Sequence, residues 1–535
     1  MNEHREFISS GQAILGIELG STRIKAVLID DKHSVLASGA FDWENQQVDG
    51  VWTYSMDLAW EGLAGAYLDL KRQVKARYGV TLTRLKALGV SAMMHGYLAF
   101  DGQDRLLVPF RTWRNTMTLE AAQKLTDAFA FSIPQRWSVA HIYQAILSGE
   151  RHVGNIRFLT TLAGYIHWGL TGEKVLGIGD ASGMFPIDPD TPDYDREKLA
   201  AFSRLTKEYG FPWELRDLLP RVLPAGQDAG RLTAEGAKRL DPQGDLAPGT
   251  PLCPPEGDAG TGMTATGAVA AGTGNVSAGT SIFAMVVLEK ALSRVYPEID
   301  MVTTPAGNPV AMVHCNNCTT DLNAWVDLFA QFGEEAGLTL TRNQIYEAFF
   351  SAALKGLPDA GGLSAIGYHS GEHITNFEEG QPLLLYPADD QFTFQNFARA
   401  VLLSTVATLS IGMEILRKEK VALTRVLGHG GLYKTGDAGQ RFTAAALDAP
   451  VSVLATAGEG GAWGIALLAA YLTRKQPGET LAGYLDQRVF KALQSKTLAP
   501  DPKDLKGLAG YIQAFKKGLG VERAALIHYK GAHHA

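Results

Sequence analysis

Two hydrophobic periods run along this chain: short apolar runs bounded by turn residues, and longer stretches where apolar residues return every three to four positions. Ile14–Leu19 and Ile24–Ile29 read as strands joined by the turn Gly20-Ser21-Thr22-Arg23, and Ser34–Phe41 as a third strand. In Tyr54–Tyr78, Leu58, Leu63, Tyr67, Leu70 and Val74 lie close to one face, which predicts a helix. Leu85–Val90 predicts a buried strand that runs into Ser91-Ala92-Met93-Met94-His95-Gly96. From Thr116 to Leu170 the pattern is largely helical, and Asp188–Asp195, rich in Asp and Pro, is a surface connection. Further on, Asn396–Leu416 predicts a long amphipathic helix, Arg425–Leu427 and Val451–Leu454 short strands, and Ile465–Leu472 another helix. The tail from Lys475 reads as helical and accessory. Strands alternating with helices imply an α/β architecture.

The turn chemistry recurs. Ala278-Gly279-Thr280-Ser281, between strand-like flanks, repeats the strand–Gly–hydroxyl–strand form of Leu19-Gly20-Ser21-Thr22 at about half the chain length. This weak repeat predicts two similar domains with a boundary near residue 267. Length agrees, since 535 residues exceed the ordinary single domain. Glycine is the one compositional surplus, 58 residues or about a ninth against an ordinary ~7%. Part of that surplus is gathered in loops: around Gly20, Glu256–Gly262, Gly272–Gly279, Gly428–Gly431 and Gly458–Gly464.

Charge and cysteine narrow the class. Lys+Arg 49 against Asp+Glu 56 gives −7 with no long basic stretch, which argues against nucleic acid or an anionic membrane as partner. Three cysteines make no disulfide framework, and Cys315-Asn316-Asn317-Cys318 has no second pair to complete a zinc site. The polar start, Met1 to Gln12, has no apolar signal core. Apolar stretches such as Val401–Thr408 are broken by polar residues before membrane-spanning length. A cytoplasmic protein is expected.

Gly-Ser-Thr and Gly-Thr-Ser turns suit phosphate, because glycine lets backbone N–H groups face an anion and the hydroxyls add donors. Neither is a Walker A sequence. Glu18, in an otherwise apolar strand two residues before Gly20, is either a strand-end carboxylate in solvent or a Mg²⁺ partner beside phosphates. Asp258, between Gly257 and Ala259, is either a turn former or a base for a hydroxyl. His95 at a strand end is a structural residue or a ligand contact. Trp113-Arg114-Asn115 offers a stacking face, a cation and an amide, as sugar sites need, or is an exposed loop anchored by its Trp. The Gly428–Gly431 and Gly458–Gly464 loops lack the spacing of a dinucleotide fingerprint, which counts against a nicotinamide oxidoreductase.

In order along the chain these motifs resemble the FGGY carbohydrate kinases of the actin/hexokinase/heat-shock-ATPase superfamily. Gly16–Lys25 is similar to that family's first phosphate loop, Gly257-Asp258-Ala259 to its catalytic element, and Asn275–Phe283 to its second phosphate loop. Gly428–Gly431 and Gly458–Gly464 resemble its adenosine-side segments, and Asp180–Met184 and Tyr368–Glu372 match further landmarks. The resemblance implies two actin-like (ribonuclease H-like) domains with an active-site cleft between them: 13–266 for sugar and the first phosphate loop, 267–475 for ATP, 476–535 an accessory helical tail. It implies an ATP- and Mg²⁺-dependent kinase with Asp258 as base and Glu18 and Asp258 toward the metal. Gly20, Ser21, Thr22 and Arg23 would face the transferred phosphoryl group, with Gly279 and Thr280 across the cleft and Gly430 and Gly431 against adenosine. Met94, His95 and Trp113, with Asp258, would meet the acceptor, for which D-xylulose is the first expectation. L-Ribulose, erythritol-type polyols and autoinducer-2 are alternatives, as is an actin-like scaffold without acceptor; a homodimer is compatible. The chain departs from the family pattern at Glu18, where Asp is usual, and from xylulokinases at Met93, where they have Gln, and Asn115, where they have an acid.

Overall fold

The computed structural model describes residues 2–389, 391–454, 460–492 and 495–529. They form two compact units. The first comprises the described residues up to Ala270, Met301–Val310 and those between 458 and 493; the second comprises the remainder.

In the first unit, strands β1 (Ile14–Leu19), β2 (Arg23–Ile29), β3 (Val35–Asp42), β4 (Ala87–Ala92) and β5 (Glu256–Gly257) form a sheet ordered β5-β4-β1-β2-β3. β1, β2 and β3 are joined antiparallel, while β4 runs parallel to β1 and β5 parallel to β4. Period-two alternation divides β1 between two faces. Leu15, Ile17 and Leu19 enter the core with Leu63, Tyr67, Leu70 and Val74 of helix α1 (Met56–Tyr78). Ser55 caps the start of α1 and Gly79, at φ 68°, ends it. Gly16 and Glu18 take the other face. A Cβ at Gly16 would lie 2.1 Å from the Ala462 carbonyl oxygen, so only glycine admits the helix packed there.

The second unit repeats the order. Strands β6 (Thr273–Ala278), β7 (Ile282–Val287), β8 (Pro309–Cys315), β9 (Arg425–His429) and β10 (Val451–Leu454) lie as β8-β7-β6-β9-β10, extended by β11 (Ser495–Leu498). β6 and β7 form an antiparallel hairpin, with β9 parallel to β6 and β10 parallel to β9. The half-length repeat is therefore a duplicated sheet, not only a duplicated turn. β11 falls in the tail expected to be helical; it pairs antiparallel with β10, a partner more than 40 residues away that local periodicity cannot reveal. Helix α2 (Phe394–Lys418) is long and apolar enough to cross a membrane by length and composition alone, yet its most apolar window is 83% buried inside the protein. Helix α3 (Gly460–Arg474), late in the chain, packs in the first unit against β1 and β4.

Candidate active site

Parallel strands gather their following loops at one end of a sheet. In the first unit β1, β4 and β5 do this: Leu19 pairs with Ala92, Ala92 with Gly257, and the Met93 amide donates to the Leu19 carbonyl at 3.0 Å. The turn Gly20–Thr22, the segment Met93–Gly96 and Asp258 thereby meet.

Asp258 is not in a loop as the glycine-rich sequence suggested. It opens helix α4 (Asp258–Ala265), where Gly257 is the N-cap. Its Oδ1 accepts from the Met94 amide at 3.1 Å and the Ala259 amide at 2.9 Å, which leaves Oδ2 outside that grip. The side chain reaches solvent. Desolvation by the surrounding protein pushes its carboxyl above the ordinary range, against the pull of those amides and of the Arg136 guanidinium.

Glu18 follows the strand parity of Gly16 and meets the start of helix α3. A Cβ at Gly461 would stand 2.2 Å from Glu18 Oε1, and the Ala462 amide bonds the carboxylate. Burial, then the charge of Asp258, raises the Glu18 carboxyl to about 7, while Lys25, opposite it in the β1–β2 register, opposes the shift. Two carboxylates held in electrostatic reach fit a hard cation that shares its remaining ligands with phosphates. Among the described residues no cluster of three or more His, Cys, Asp or Glu could hold a metal unaided.

The turn Gly20–Thr22 is held by its carbonyls. Trp43 Nε1 donates to Gly20 O at 2.7 Å, the Tyr54 hydroxyl to Ser21 O at 2.6 Å, and the Trp43 amide to Thr22 O at 3.1 Å. Among the described residues the Ser21 and Thr22 amides have no protein acceptor. Arg23 is exposed and paired with Asp42 at 2.5 Å.

His95 is buried with φ at 72°, a conformation a bulky residue rarely adopts. Its ring stacks on Trp137 and its Nδ1 lies 3.2 Å from the Gly183 carbonyl, so the landmark 180–184 braces it. Met94 is buried beside Gly257, and Trp113 is 40% exposed. Asn115 is spent on the backbone: it is buried, accepts from the Trp52 amide at 2.9 Å and donates to the Trp52 carbonyl at 2.8 Å. Met93 is likewise buried.

Sequence reasoning marked Asp180 within the 180–184 landmark and Glu256 at the head of a glycine-rich stretch, but gave neither acid a role. Glu256 Oε2 accepts from the Asp180 amide at 2.8 Å and Oε1 from Gly179 at 3.2 Å, while Asp180 Oδ2 accepts from Thr161 at 2.6 Å. Both are buried, and burial pushes Asp180 to about 7 and Glu256 well upward. Arg136 was missed; its carbonyl accepts from the Gly96 amide at 3.3 Å. Nothing local marks Arg136, and the partners that bury Asp180 and Glu256 are not visible in the local pattern.

In the second unit the other phosphate-type turn is held in a similar manner. Gly279 O accepts from the Thr319 amide and hydroxyl, and Thr280 O from the Cys318 amide at 2.9 Å. Ser277 pairs with His429, which brings the two glycine loops side by side; a Cβ at Gly430 would lie 2.2 Å from Ala278 O, while around Gly431 the space is open. Cys315 and Cys318 are buried free thiols, and burial raises both. Of the Gly458–Gly464 segment, Gly458 and Glu459 lie outside the described residues; Gly460–Gly464 open helix α3 beside Glu18, in the first unit.

Comparison with known proteins decides the family. Residues 13–144 match the N-terminal domain and residues 274–473 the C-terminal domain of the FGGY family of carbohydrate kinases. The chain belongs to that family. FGGY membership makes it an ATP-dependent carbohydrate kinase with the two-domain, actin-like fold. It is similar to a xylulose kinase of Haemophilus influenzae, 22% identical over 442 residues, 78% of this chain and 82% of the relative. Solved structures with the same fold include a ligand-bound xylulose kinase of Lactobacillus acidophilus (TM-score 0.77, 17% identity, 97% of this chain and 99% of that one) and a gluconate kinase of the same organism (0.76, 17%, 97% and 99%). The FGGY matches span Glu18, the Gly20 turn, Met94, His95, Trp113 and the second-unit glycines, whereas Asp258 lies between them.

Proposed function

We propose that this FGGY kinase transfers the ATP γ-phosphoryl group to a hydroxyl of a small ketose or polyol, with a pentulose such as D-xylulose first. The observation that carries the reading is Asp258: a carboxylate held through one oxygen at a helix start, its other oxygen outside that grip, beside a glycine turn whose Ser21 and Thr22 amides have no protein acceptor among the described residues. In this reading Asp258 Oδ2 accepts the proton of the attacking hydroxyl. The Ser21 and Thr22 amides bind and orient the transferred group, and the Gly279–Thr280 turn binds ATP phosphate. Gly430 and Gly431 leave room for adenosine. Glu18 and Asp258 would hold Mg²⁺, directly or by water, and the ion would supply charge neutralisation at the phosphates. Arg23, committed to Asp42, serves the phosphoryl group less directly than its neighbours.

Met94, His95 and Trp113 line the acceptor side. At Asn115, where xylulokinases have an acid, the side chain is spent on the Trp52 backbone, and at Met93 a thioether replaces their amide, so the acceptor range can differ from that of the xylulose kinases it resembles. The cytoplasm, where ATP is supplied, is the compartment this reading needs, with no nucleic acid or membrane as partner.

The test is acceptor-dependent ADP release across D-xylulose, L-ribulose, hexuloses, erythritol-type polyols, gluconate and autoinducer-2. A pentulose is expected to raise turnover at least about tenfold over basal ATP hydrolysis. Stimulation by gluconate alone would replace the acceptor class, and no stimulation by any acceptor would reject the proposed transfer.

A further inference from the structure

The segment from Trp43 to Tyr54 does something no motif in the sequence announces. The β2–β3 register ends at Arg23 opposite Asp42, so the next residue, Trp43, stands against the Gly20–Thr22 turn. Trp43 and Tyr54 are both buried, their ring centroids 4.3 Å apart and the planes tilted by 31°, and together they take up the Gly20, Ser21 and Thr22 carbonyls. A trans peptide points its N–H opposite its C=O. Fixing the Gly20 and Ser21 carbonyls therefore fixes the Ser21 and Thr22 amides in the opposite direction. Two residues before Tyr54, Trp52 is locked to the acceptor-side loop: Asn115 bonds both its amide and its carbonyl, the Thr112 amide shares that carbonyl at 3.2 Å, and the Arg114 guanidinium lies 4.2 Å over its ring.

We propose that Trp43 and Tyr54 are positioning residues that aim the Ser21 and Thr22 amides at the transferred phosphoryl group, and that Asn115, through Trp52, ties this aim to the acceptor-side loop. The proposal rests on reading Gly20–Arg23 as a phosphate loop. Neither aromatic needs to touch ATP or acceptor. Tyr54→Phe removes the hydroxyl and keeps the ring, and Trp43→Phe removes the indole N–H and keeps an aromatic ring, though a smaller one.

The experiment measures, in the full chain, calorimetric affinity for ADP and for a non-hydrolysable ATP analogue, together with kcat and acceptor KM. Tyr54→Phe and Trp43→Phe are each expected to weaken the analogue about tenfold and lower kcat at least about tenfold. ADP affinity and acceptor KM are expected to stay within about twofold. Thr22→Pro, which removes one amide donor, tests the loop itself. If Thr22→Pro weakens the analogue and Tyr54→Phe and Trp43→Phe do not, the positioning role is wrong while the phosphate loop stands. If Thr22→Pro has no effect, the phosphate-loop reading falls and this proposal with it. Equal weakening of ADP and analogue by both aromatic variants would reduce their role to general support of the fold and overturn the proposal.

Discussion

A carboxylate inside an apolar strand is costly unless something answers its charge. For Glu18 the answer comes from the Ala462 amide at the start of helix α3 and from Lys25 across the sheet. Sequence could pose that question, because Glu18 interrupts an apolar run, but could not answer it: Ala462 is far away in the chain. Asn115 shows the reverse failure. Three adjacent residues looked like a sugar site, and the one with an amide is consumed by the Trp52 backbone. Glu522 illustrates the same physics without chemistry. It is buried, Oε1 accepts from the Gln381 amide at 2.6 Å, and Oε2 has no partner among the described residues. Burial raises its carboxyl from the ordinary 4.5 to about 7 in the fold, so the ionised form is the one the native state disfavours. Its contribution to stability is largest below pH 4.5 and declines as pH rises through that value toward 7. The stability of Glu522→Gln relative to wild type should thus be greater at pH 8 than at pH 5, by about 1 kcal/mol or more, in urea unfolding at the two values. An unchanged difference would show that Glu522 ionises freely in the fold.

At the scale of elements, strands and long helices followed the hydrophobic pattern closely, and errors arose where glycine density or distant partners override it. Asp258–Ala265 contains Gly260 and Gly262, which lower helix propensity, yet Ser91 and Thr261 hydroxyls 3.1 Å apart and the packing of Gly464 on Thr261 hold it helical. The C-terminal helix α5 (Pro502–His528) was legible as a helix, its docking was not. Asp504 in its first turn is buried and bonds Arg399 at 2.6 Å and also Arg441, while Arg399 donates to the Pro358 and Ala353 carbonyls. Removing Asp504 leaves a buried guanidinium without its counter-charge. Asp504→Ala is expected to destabilise the protein by about 3–5 kcal/mol in urea or thermal unfolding. A cost under about 1 kcal/mol would mean that solvent reaches Arg399 more readily than its burial implies.

For the whole molecule, a single glycine–hydroxyl turn repeated at half-length was the visible trace of a duplicated sheet, β3-β2-β1-β4-β5 in one unit and β8-β7-β6-β9-β10 in the other. The turn survives in sequence because backbone donors need glycine and small polar residues there; the strands that carry it need only be apolar and can drift. That asymmetry also explains the site. Glu18, Asp258 and the glycine turns stand out by residue type in an apolar or loop setting, whereas Trp43, Tyr54 and Arg136 come near them only through the fold. The account turns on Asp258 as the proton acceptor. Its most direct test is Asp258→Asn, assayed with whichever acceptor the wild-type enzyme uses best, alongside calorimetric affinities for ATP and that acceptor. The expected result is a loss of about 10²–10⁴-fold in kcat with both affinities within about threefold of wild type. Transfer that persists within about tenfold of wild type would contradict the base role and the mechanism built on it.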